Sequence, residues 1–511
     1  MIDIRSVAAI RAAEEVAFRQ VPTGALMQRA SHALAVSCAR LLGDVRGAVV
    51  GSRVVILAGS GNNGGDALWA GATLARRGCR VDAVTLSERF HHEGAAALVA
   101  AGGRLVSASD EDAVDGVVLA ADLVLDGILG IGGSGGLRPE ADRVVQVASR
   151  SGALIVAVDV PSGVDADTGA VQGPAVDADV TVTFGAAKAG LLVAPGRIHA
   201  GTVQIVDIGL DFGDDAPVAR IIEPVDVDRW VPEPAEDAYK YSRGVAGLAV
   251  GSSEYRGAAL LAAAAARHSD VGMVRLLDRR DGVAELVVSH YPDVVVDGTS
   301  PAEQGRATAW GCGSGFPGAE SDEPTVLATL AAAVPVVLDA GALSVVAASA
   351  DVRERLRDRF RAGLVTVLTP HDGEFERMLP GLLARVGDRR QAAVDAAREL
   401  QCIVLLKGAG TVVAGPAGEV WIDIEGTADL GVAGSGDVLT GILTGVLAGA
   451  HARGDLDHPE EAVAAAVWLH GCAGRLAAAH APVTAPDIAM RVGAAVHAAR
   501  FGIAPNDGGT A

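Results

Sequence analysis

Short apolar runs alternate with helical stretches along almost the whole chain, and this alternation is the feature that most limits the fold. The run VVILAG at 54–59 is typical of a buried strand, and residues 64–77 after it have the apolar spacing of a helix. The runs LIVAVDVP, VPVVLDAG and CIVLLKG repeat the pattern further along. Strands that alternate with helices predict a mostly parallel sheet covered on both faces, so we predict an α/β fold.

A change in composition divides the alternation into two series. Residues 210–240 are acidic and rich in proline, which favours a linker between compact units. The chain has 511 residues, more than one ordinary hydrophobic core accommodates. We therefore predict two α/β domains, at residues 1–217 and 218–505.

Charge and composition exclude several classes of partner. The formal net charge is −21 and aromatic residues make up 3% of the chain, which disfavours nucleic acid as a partner. The first residues, MIDIRSVAAIRAAEEVAF, carry acids where a signal peptide needs an apolar run, and no apolar run is long enough to span a membrane. We expect a soluble cytoplasmic protein. Its Ala-rich helix faces are compatible with a homo-oligomer.

Polar residues follow several predicted strands of the first series. GNNGGDA at 61–67 comes after a strand and opens a helix, while Asp126, Asp159 and Ser162 stand at the ends of later strands. The carboxyl ends of parallel strands meet at the edge of the sheet where ligands bind. The loop GIGGSGG at 130–136 has enough glycine to surround a phosphate. Any one of these loops is equally compatible with a tight turn, but their number favours a binding site. Lys188 is compatible with phosphate binding or with a structural role.

The N-terminal half resembles the NAD(P)HX epimerase family, the YjeF N-terminal domain, through MQRAS, GNNGGD, D-x-P-S-G-x-x-x-D-T-G and TFGAAKAGL. The resemblance implies a Rossmann-like three-layer sandwich that interconverts the R and S epimers of NADH or NADPH hydrated at C6 of the nicotinamide. It implies a catalytic Asp159 and a potassium ion, K⁺, held by Asn63, Asp126 and Ser162. The implied substrate-binding residues are Asn62, Asn63, Gly64, Gly65, Asp66, Gly130, Ile131, Gly132, Gly133, Ser134, Gly135, Gly136 and Asp159.

A second glycine-rich helix start lies in the other series. In AGSGD, Asp437 follows Gly434, Ser435 and Gly436 and precedes an apolar helix. A helix N-terminus gathers N–H groups and a dipole that stabilise an anion, and a carboxylate beside it can accept a hydroxyl proton. On its own the motif is also compatible with a solvated aspartate. The segments KGAGT at 407–411 and TPHDGEFERM at 369–378 also follow strands and favour a catalytic site.

Residues 240–500 resemble the ADP- or ATP-dependent NAD(P)HX dehydratases, the YjeF C-terminal domain, through VVLDAGAL, LTPHDGEF, LLKGAGT and GSGDVLTG. The resemblance implies a ribokinase-like domain that uses Mg²⁺ and ADP, or ATP, to phosphorylate the C6 hydroxyl before phosphate leaves. Gly341 stands where the family usually has the second aspartate of D-A-D-A-L. The implied substrate-binding residues are Ala258, Gly315, His371 and the catalytic Asp437, and the implied nucleotide-binding residues are Lys407, Gly408, Ala409, Gly410, Thr411 and Gly436.

The leading hypothesis is therefore a bifunctional isomerase and lyase that repairs hydrated nicotinamide nucleotides. One alternative is a ribokinase-type small-molecule kinase fused to a Rossmann-like ligand-binding domain, which leaves the epimerase motifs unexplained. Another is a non-catalytic interaction protein, which leaves the polar strand ends unexplained.

Overall fold

The chain divides into two compact units. The structure is a computed structural model that describes residues 1–133, 135–279, 281–298, 301, 306–318, 320–479 and 481–502. One unit is Asp3–Val218, and the other comprises Met1–Ile2 and the chain from Ala219 onward. Of the predicted ranges and sites, residues 503–505 and Ser134 lie outside the described residues.

The first unit is built on a seven-stranded sheet with the strand order β4-β3-β2-β5-β6-β7-β8. Every neighbouring pair in this sheet is parallel, as the strand–helix alternation predicts. The elements of residues 1–218 are β1 Ile2–Ile4, α1 Val7–Gln20, α2 Ala25–Arg46, β2 Arg53–Ala58, α3 Asn62–Arg76, β3 Arg80–Thr85, α4 His92–Ala100, β4 Arg104–Ser107, α5 Glu111–Val118, β5 Leu123–Gly127, α6 Pro139–Ser151, β6 Leu154–Val158, β7 Val180–Phe184, α7 Gly196–Ala200 and β8 Thr202–Val206.

Successive residues of the strands in this unit enter two different cores. Ile56 of β2 packs in the core with α2 and α3, whereas Val55 and Leu57 pack in the core with α5 and α6. Side chains alternate between the two faces of a strand, so a strand that is apolar throughout is buried on both sides. The first unit is therefore a three-layer α/β sandwich, and the predicted fold class is confirmed.

The second unit is built on a larger mixed sheet with the order β9-β18-β17-β16-β15-β14-β13-β10-β11-β12. The strands from β16 to β12 in that order pair in parallel, and β17 pairs antiparallel with both of its neighbours. The elements of this unit are β9 Ala219–Ile221, α8 Pro224–Val227, β10 Val245–Ala249, α9 Arg256–His268, β11 Met273–Leu277, α10 Val283–His290, β12 Val295–Asp297, β13 Ala309–Cys312, α11 Glu323–Leu330, β14 Val336–Leu338, α12 Gly341–Ala348, α13 Ala350–Arg361, β15 Thr366–Leu368, α14 Asp372–Met378, α15 Leu382–Val386, α16 Arg389–Leu400, β16 Ile403–Leu406, β17 Thr411–Ala414, β18 Val420–Asp423, α17 Ser435–Arg453, α18 Pro459–Ala478 and α19 Ala485–Phe501.

Helix α17 is buried along most of its length, which fixes the position of its N-terminus. Residues from Val438 to Ala450 are all buried, so the helix is enclosed on every side. Its glycines allow close packing, because a Cβ atom on Gly441 would lie 2.3 Å from the carbonyl oxygen of Ala262 on α9. Although several helices are this apolar, none in the described part of the chain has the length and apolarity needed to cross a membrane.

The linker predicted over 210–240 is wrong for residues 219–231. This segment forms β9 and α8, and Trp230 is 1% exposed within the core of the second unit. The indole of Trp230 donates a hydrogen bond to Glu461 Oε1 at 3.2 Å. Pro224 does not mark a linker, because it occupies the first turn of α8, where its missing N–H costs nothing.

Candidate active sites

A cavity of about 750 Å³ opens at the carboxyl ends of the strands in the first unit. It is lined by α1, the start of α3, the loop 128–133, Asp159 and Lys188. Helix α3 begins at Asn62 with Gly61 as its N-cap and without a side-chain hydrogen bond to cap it among the described residues. Its first N–H groups are therefore available to an anion. Gly64 allows this helix start to pack closely, because a Cβ atom there would lie 2.4 Å from the carbonyl oxygen of Gly59.

The three predicted ligands of K⁺ lie together beside this cavity. Asp126 is fully buried, and its carboxylate accepts hydrogen bonds from the Ser162 hydroxyl at 2.7 Å and from the Ser162 and Ile128 N–H groups at 2.8 and 3.2 Å. Asn63 Nδ2 donates to the carbonyl oxygen of Leu129 at 2.9 Å, and the N–H of Leu129 donates to Ser162 Oγ at 2.8 Å. Burial raises the pKa of Asp126 to about 6, although the hydrogen bonds that Asp126 accepts from Ser162 and Ile128 act in the opposite direction. The donors are all neutral, so a monovalent cation would fit a carboxylate in this environment.

Asp159 is held at the end of β6 by a buried ion pair. Its Oδ1 accepts hydrogen bonds from Lys188 Nζ at 2.8 Å, from the Thr183 hydroxyl at 3.1 Å and from the Phe184 N–H at 3.2 Å. The side chain of Lys188 is 1% exposed and that of Asp159 is 12% exposed. The backbone of Asp159 has φ = 66°, a left-handed conformation that non-glycine residues rarely adopt. Lys188 therefore positions Asp159 toward the cavity.

The residues of the glycine-rich loop do not all line the same cavity. Gly130, Ile131, Gly132 and Gly133 line the cavity, together with Asn62, Asn63 and Asp66. Gly135 lines a smaller neighbouring cavity of about 70 Å³, and Gly136 lies against Gly173. Gly64 packs against Gly59, and Gly65 packs against the ring of His91. A side chain at either position would meet these neighbours, so both glycines are needed for packing.

Glu14 lines the same cavity, and the sequence analysis did not identify it. It lies on α1 with Arg11 and Phe18, which also line the cavity and share its helix face by their spacing of three and four residues. Burial raises the pKa of Glu14, and the charge of Asp159 adds to this effect. The helical spacing of these residues was the available signal, but it did not show which face of α1 meets the sheet.

The second site is built from the carboxyl ends of four parallel strands around Asp339. Asp339 follows β14 and is 2% exposed. Its Oδ1 accepts hydrogen bonds from Lys407 Nζ at 2.8 Å and from Thr369 Oγ1 at 2.7 Å. Its Oδ2 accepts from Ser314 Oγ at 3.1 Å and Thr440 Oγ1 at 3.0 Å. Burial raises the pKa of Asp339, but Lys407 and these donors outweigh burial and lower the pKa overall.

Asp437 lies in the first turn of α17, beside this network. Helix α17 has Gly434 as its N-cap, in a left-handed conformation with φ = 90° and without a side-chain cap among the described residues. Burial and the negative charge of Asp339 raise the pKa of Asp437 to about 6, while Ser314 and Lys407 act in the opposite direction. A carboxylate with a raised pKa, at a helix start without a side-chain cap among the described residues, is suited to accept a proton while the helix holds an anion.

Lys407 connects Asp339 to a third carboxylate. Its Nζ lies 3.8 Å from Glu374 Oε2, and Glu374 lies 3.6 Å from the ring of His371. Burial lowers the pKa of Lys407, but Asp339 and Glu374 outweigh burial and raise it overall. A Cβ atom on Gly436 would lie 3.6 Å from Lys407 Nζ, so the predicted nucleotide residues Lys407 and Gly436 are brought together.

The remaining predicted residues surround this network. Ala258 and Gly315 are in contact, because a Cβ atom on Gly315 would lie 2.6 Å from that of Ala258. Gly408, Ala409 and Gly410 form the turn between β16 and β17, which Thr411 closes with a hydrogen bond from its hydroxyl to the carbonyl oxygen of Gly408 at 3.3 Å.

Several residues of the second site were absent from the predicted set. Asp339 and Thr369 stand at strand ends within VVLDAGAL and LTPHDGEF, so their position was the available signal. His470 had no such signal, because it lies inside α18. It is buried 3.0 Å from Ser435 Oγ, and burial lowers its pKa to about 4, so it is neutral at pH 7.

Gly341, where the family usually has an aspartate, leaves no space for a side chain because the loop that contains Phe316 and Gly318 packs against it. A Cβ atom on Gly341 would lie 2.5 Å from the carbonyl oxygen of Phe316 and 2.9 Å from the N–H nitrogen of Gly318. We expect Gly341→Asp to lower the free energy of unfolding by about 1 to 3 kcal/mol, because the loop has to move to accept the side chain. Urea unfolding of Gly341→Asp and Gly341→Ala measures this effect.

Gly257→Ala is the matched control for this prediction. It lies in α9, where a Cβ atom meets nothing within 4 Å, so alanine should be neutral or stabilising. Unchanged stability of both Gly341 variants would mean that the aspartate is missing for a reason other than space.

The fold and the two sites together define a two-domain α/β enzyme. A family model described as YjeF-related protein N-terminus matches residues 23–190, and one described as NAD(P)H-hydrate dehydratase matches residues 246–492. The bifunctional NAD(P)H-hydrate repair enzyme Nnr of Mycobacterium tuberculosis is 43% identical over 449 residues, which cover 87% of this chain and 88% of that protein. The enzyme of the same name from Mycobacterium leprae is 40% identical over 447 residues, with the same coverage of both chains. The chain belongs to the family of bifunctional NAD(P)H-hydrate repair enzymes.

Among solved structures, the chain is similar to the ADP/ATP-dependent NAD(P)H-hydrate dehydratase of Bacillus subtilis, which was crystallised with ATP and Mg²⁺. The sequence identity is 29% and the TM-score is 0.44, and the match covers 54% of this chain and 99% of the Bacillus chain.

Proposed function

We propose that this chain repairs hydrated nicotinamide nucleotides in two steps. Residues 1–217 interconvert the R and S epimers of NADHX or NADPHX, and residues 218–505 dehydrate the S epimer to NADH or NADPH at the expense of ADP, giving AMP and phosphate. The observation that carries this proposal is the position of Asp437, a carboxylate with a raised pKa at the uncapped start of α17, beside Lys407 and Asp339. Kinship with the mycobacterial repair enzymes supports both activities.

In the dehydratase site, the chain's own residues supply a base and an anion site. Asp437 takes the proton of the C6 hydroxyl as the hydroxyl oxygen attacks the terminal phosphorus of ADP, and the bond from that phosphorus to the bridging oxygen breaks, so that AMP leaves. The N–H groups at the start of α17 and the ammonium of Lys407 stabilise the negative charge of the phosphoryl group. The C6–O bond then breaks with phosphate as the leaving group, and loss of a proton from C5 restores the dihydronicotinamide.

The proposed Mg²⁺ fits this site as a companion of the nucleotide. The described residues contain no group of three His, Cys, Asp or Glu side chains placed to hold a metal ion. Magnesium is commonly held by substrate phosphates with one or two carboxylates, and Glu374 lies beside Lys407 where it can serve as one. Bound Mg²⁺ would neutralise charge on the phosphates during transfer.

One assay separates this proposal from the two alternatives. Hydrated NADH is incubated with the full chain and ADP or ATP, and the absorbance of NADH is followed. A repair enzyme restores the absorbance and, with the epimerase active, converts both epimers completely. A sugar-type kinase or a non-catalytic interaction protein leaves the absorbance unchanged, and that result would overturn the proposal.

We also propose that Asn63, Asp126 and Ser162 hold K⁺ in the epimerase unit. The ion would offset the cost of a buried carboxylate whose hydrogen-bond donors are all neutral. We expect replacement of choline by K⁺ to raise the thermal midpoint of the full chain. If K⁺ binds only the folded state, a free K⁺ concentration of 100 times the dissociation constant raises the free energy of unfolding by about 2.7 kcal/mol. Asp126→Asn should lose this stabilisation and most of the epimerase activity.

The exposed substitution Asp44→Asn is the control for the potassium experiment and should keep the full response. Dehydration of purified S epimer should persist in Asp126→Asn. An identical K⁺ response in Asp126→Asn and the wild-type protein would contradict the site, as would anomalous diffraction from a potassium-soaked crystal without a peak between the three residues.

The proposed setting of this activity is the cytoplasm, where the nicotinamide and adenine nucleotides that it uses are found. The proposed partners are these small molecules, because the alanine-rich helices α9, α18 and α19 bury most of their alanines in the core of the second unit.

A further inference from the structure

Four carboxyl groups line the cavity of the first unit, and three of them, from three different elements, carry the argument. Glu14 comes from α1, Asp66 from α3 and Asp159 from the end of β6. Lys188 faces the same cavity, but its ammonium already donates to Asp159 at 2.8 Å and to Thr183 at 2.7 Å. The ammonium of Lys188 is therefore paired with Asp159.

Asp66 differs from Asp159 in its surroundings. Its Oδ1 atom is buried and has no hydrogen-bond partner among the described residues. Burial, followed by the negative charges of Asp159 and Glu14, raises the pKa of Asp66 well above its ordinary range. Asp159, by contrast, accepts hydrogen bonds from an ammonium, a hydroxyl and an N–H on one oxygen. One carboxyl group of this cavity is paired with an ammonium, and the other has a buried oxygen without a partner among the described residues, so the two are suited to the separate roles of base and acid.

We propose that Asp66 is the proton donor that works with Asp159 as the base in epimerisation, and that Glu14, which lines the same cavity from α1, is a positioning residue for Asp66. This inference rests on the proposed epimerase function. It assigns a reaction step to Asp66 and a role to Glu14 on α1.

The step balances with these groups alone. Asp66 donates its proton to the C6 hydroxyl, the C6–O bond breaks, water leaves, and the lone pair of the ring nitrogen forms a C=N bond to C6. Water then adds to the other face of C6, the C=N electron pair returns to nitrogen, and the Asp159 carboxylate takes the proton of the incoming water. Nothing is oxidised or reduced. The proton ends on Asp159, so the reverse reaction runs with the two roles exchanged.

A purely structural carboxyl group would be hydrogen-bonded inside the protein, whereas Asp66 Oδ1 is buried without a partner in the described structure. The titratable and charged groups around the cavity are Arg11 and Glu14 on α1, His91 and Glu93 at the start of α4, and Asp159 with Lys188. Arg11 is exposed and directs a guanidinium nitrogen to the carbonyl oxygen of Ile131 at 3.3 Å. Glu14 is the half-buried acid that raises the pKa of Asp66 in addition to Asp159.

The test uses the full chain and purified R epimer of hydrated NADH. We expect Asp66→Asn to lower the rate of epimerisation by about 10² to 10⁴, because the amide keeps the size of the side chain but has no acidic proton. Asp66→Glu, which restores the carboxyl group, should recover part of the rate. In ¹⁸O-labelled water, the wild-type protein should incorporate label at C6 as it epimerises, and Asp66→Asn should slow both processes equally.

The pH profile tests Glu14. The wild-type rate should fall at high pH, where Asp66 loses its proton. Glu14→Gln removes a neighbouring negative charge, so this fall should move to lower pH, whatever the maximal rate of the variant. Glu15→Gln, a change of the same kind at the exposed neighbouring position, should leave the profile in place.

Each failure has a separate meaning. Epimerisation by Asp66→Asn at the wild-type rate, or epimerisation without ¹⁸O uptake, would overturn the proton-donor assignment and leave the epimerase function standing. A Glu14→Gln profile that coincides with the wild-type profile would overturn the role of Glu14. A wild-type protein that does not convert the R epimer would overturn the proposed epimerase function itself. Should Asp66→Asn not fold, as judged by its thermal midpoint, Asp66→Glu and the Glu14 profile carry the test.

Discussion

Asp437→Asn should lower nucleotide-dependent dehydration of the S epimer by about 10² to 10⁴, the usual contribution of a general base. Asparagine keeps the size of the side chain at the start of α17 and removes only the proton acceptor. Affinity for the nucleotide should change little or rise, because a negative charge close to Lys407 and Gly436 disappears. Single-turnover measurements with purified S epimer separate the rate of the chemical step from binding.

The pH dependence of the same reaction provides an independent measurement. Asp437 has to be ionised to accept a proton, and its pKa is raised to about 6. The wild-type rate should therefore be full above pH 7 and fall as the pH decreases through about 6, whereas the residual rate of Asp437→Asn should lack this fall. Epimerisation by the variant is the control and should be unchanged. Dehydration by Asp437→Asn at nearly the wild-type rate would reduce Asp437 to a helix-capping residue and remove the kinase-like mechanism.

Lys188→Met should destabilise the first unit by about 3 to 5 kcal/mol, the usual cost of removing one partner of a buried ion pair. The lysine is 1% exposed, so its loss leaves the Asp159 carboxylate without a cation inside the protein. Urea unfolding followed by circular dichroism measures this change. The double variant Lys188→Met with Asp159→Asn should recover part of the stability, because it removes the unpaired charge as well.

Arg40→Met is the matched control, because it removes a cation from an ion pair that is exposed. Arg40 and Asp44 lie 3.7 Å apart on α2, with side chains 85% and 67% exposed. An exposed pair of this kind contributes about 0 to 1 kcal/mol. Equal effects of Lys188→Met and Arg40→Met would show that the pair of Lys188 and Asp159 does not hold the cavity wall in place.

The arrangement of strand ends was predictable, because it follows from local rules. Apolar runs such as VVILAG and LIVAVDVP are strands because they are buried on both faces, and the polar residues after them necessarily lie at one edge of a parallel sheet. This principle placed Asn63, Asp126, Asp159 and Ser162 at one edge in the first unit. In the second unit it placed Lys407 at a strand end, whereas the position of Asp437 near Lys407, at the start of α17, depends on the tertiary structure.

Other features depended on contacts between distant parts of the chain. Residues 219–231 resemble a linker in composition, yet Trp230 is buried because α18 and α19 provide a surface for it. Gly341 stands where the family usually has an aspartate, and the loop 313–318 occupies the space where such a side chain would begin. Composition could not show either contact, because each joins segments that are far apart in sequence.

The sequence by itself determined the α/β class, the two series of strands and helices, and the two helix starts that are open to an anion, since these depend on periodicity and on glycine within a few residues. The tertiary structure alone decided which charges meet. It placed Glu14 of α1 beside Asp66 and Asp159, committed Lys188 to Asp159, and made Asp339 the acceptor for four donors from different strands and helices. The protonation states on which both reactions depend follow from burial and from neighbouring charges, and these exist only when the chain is folded.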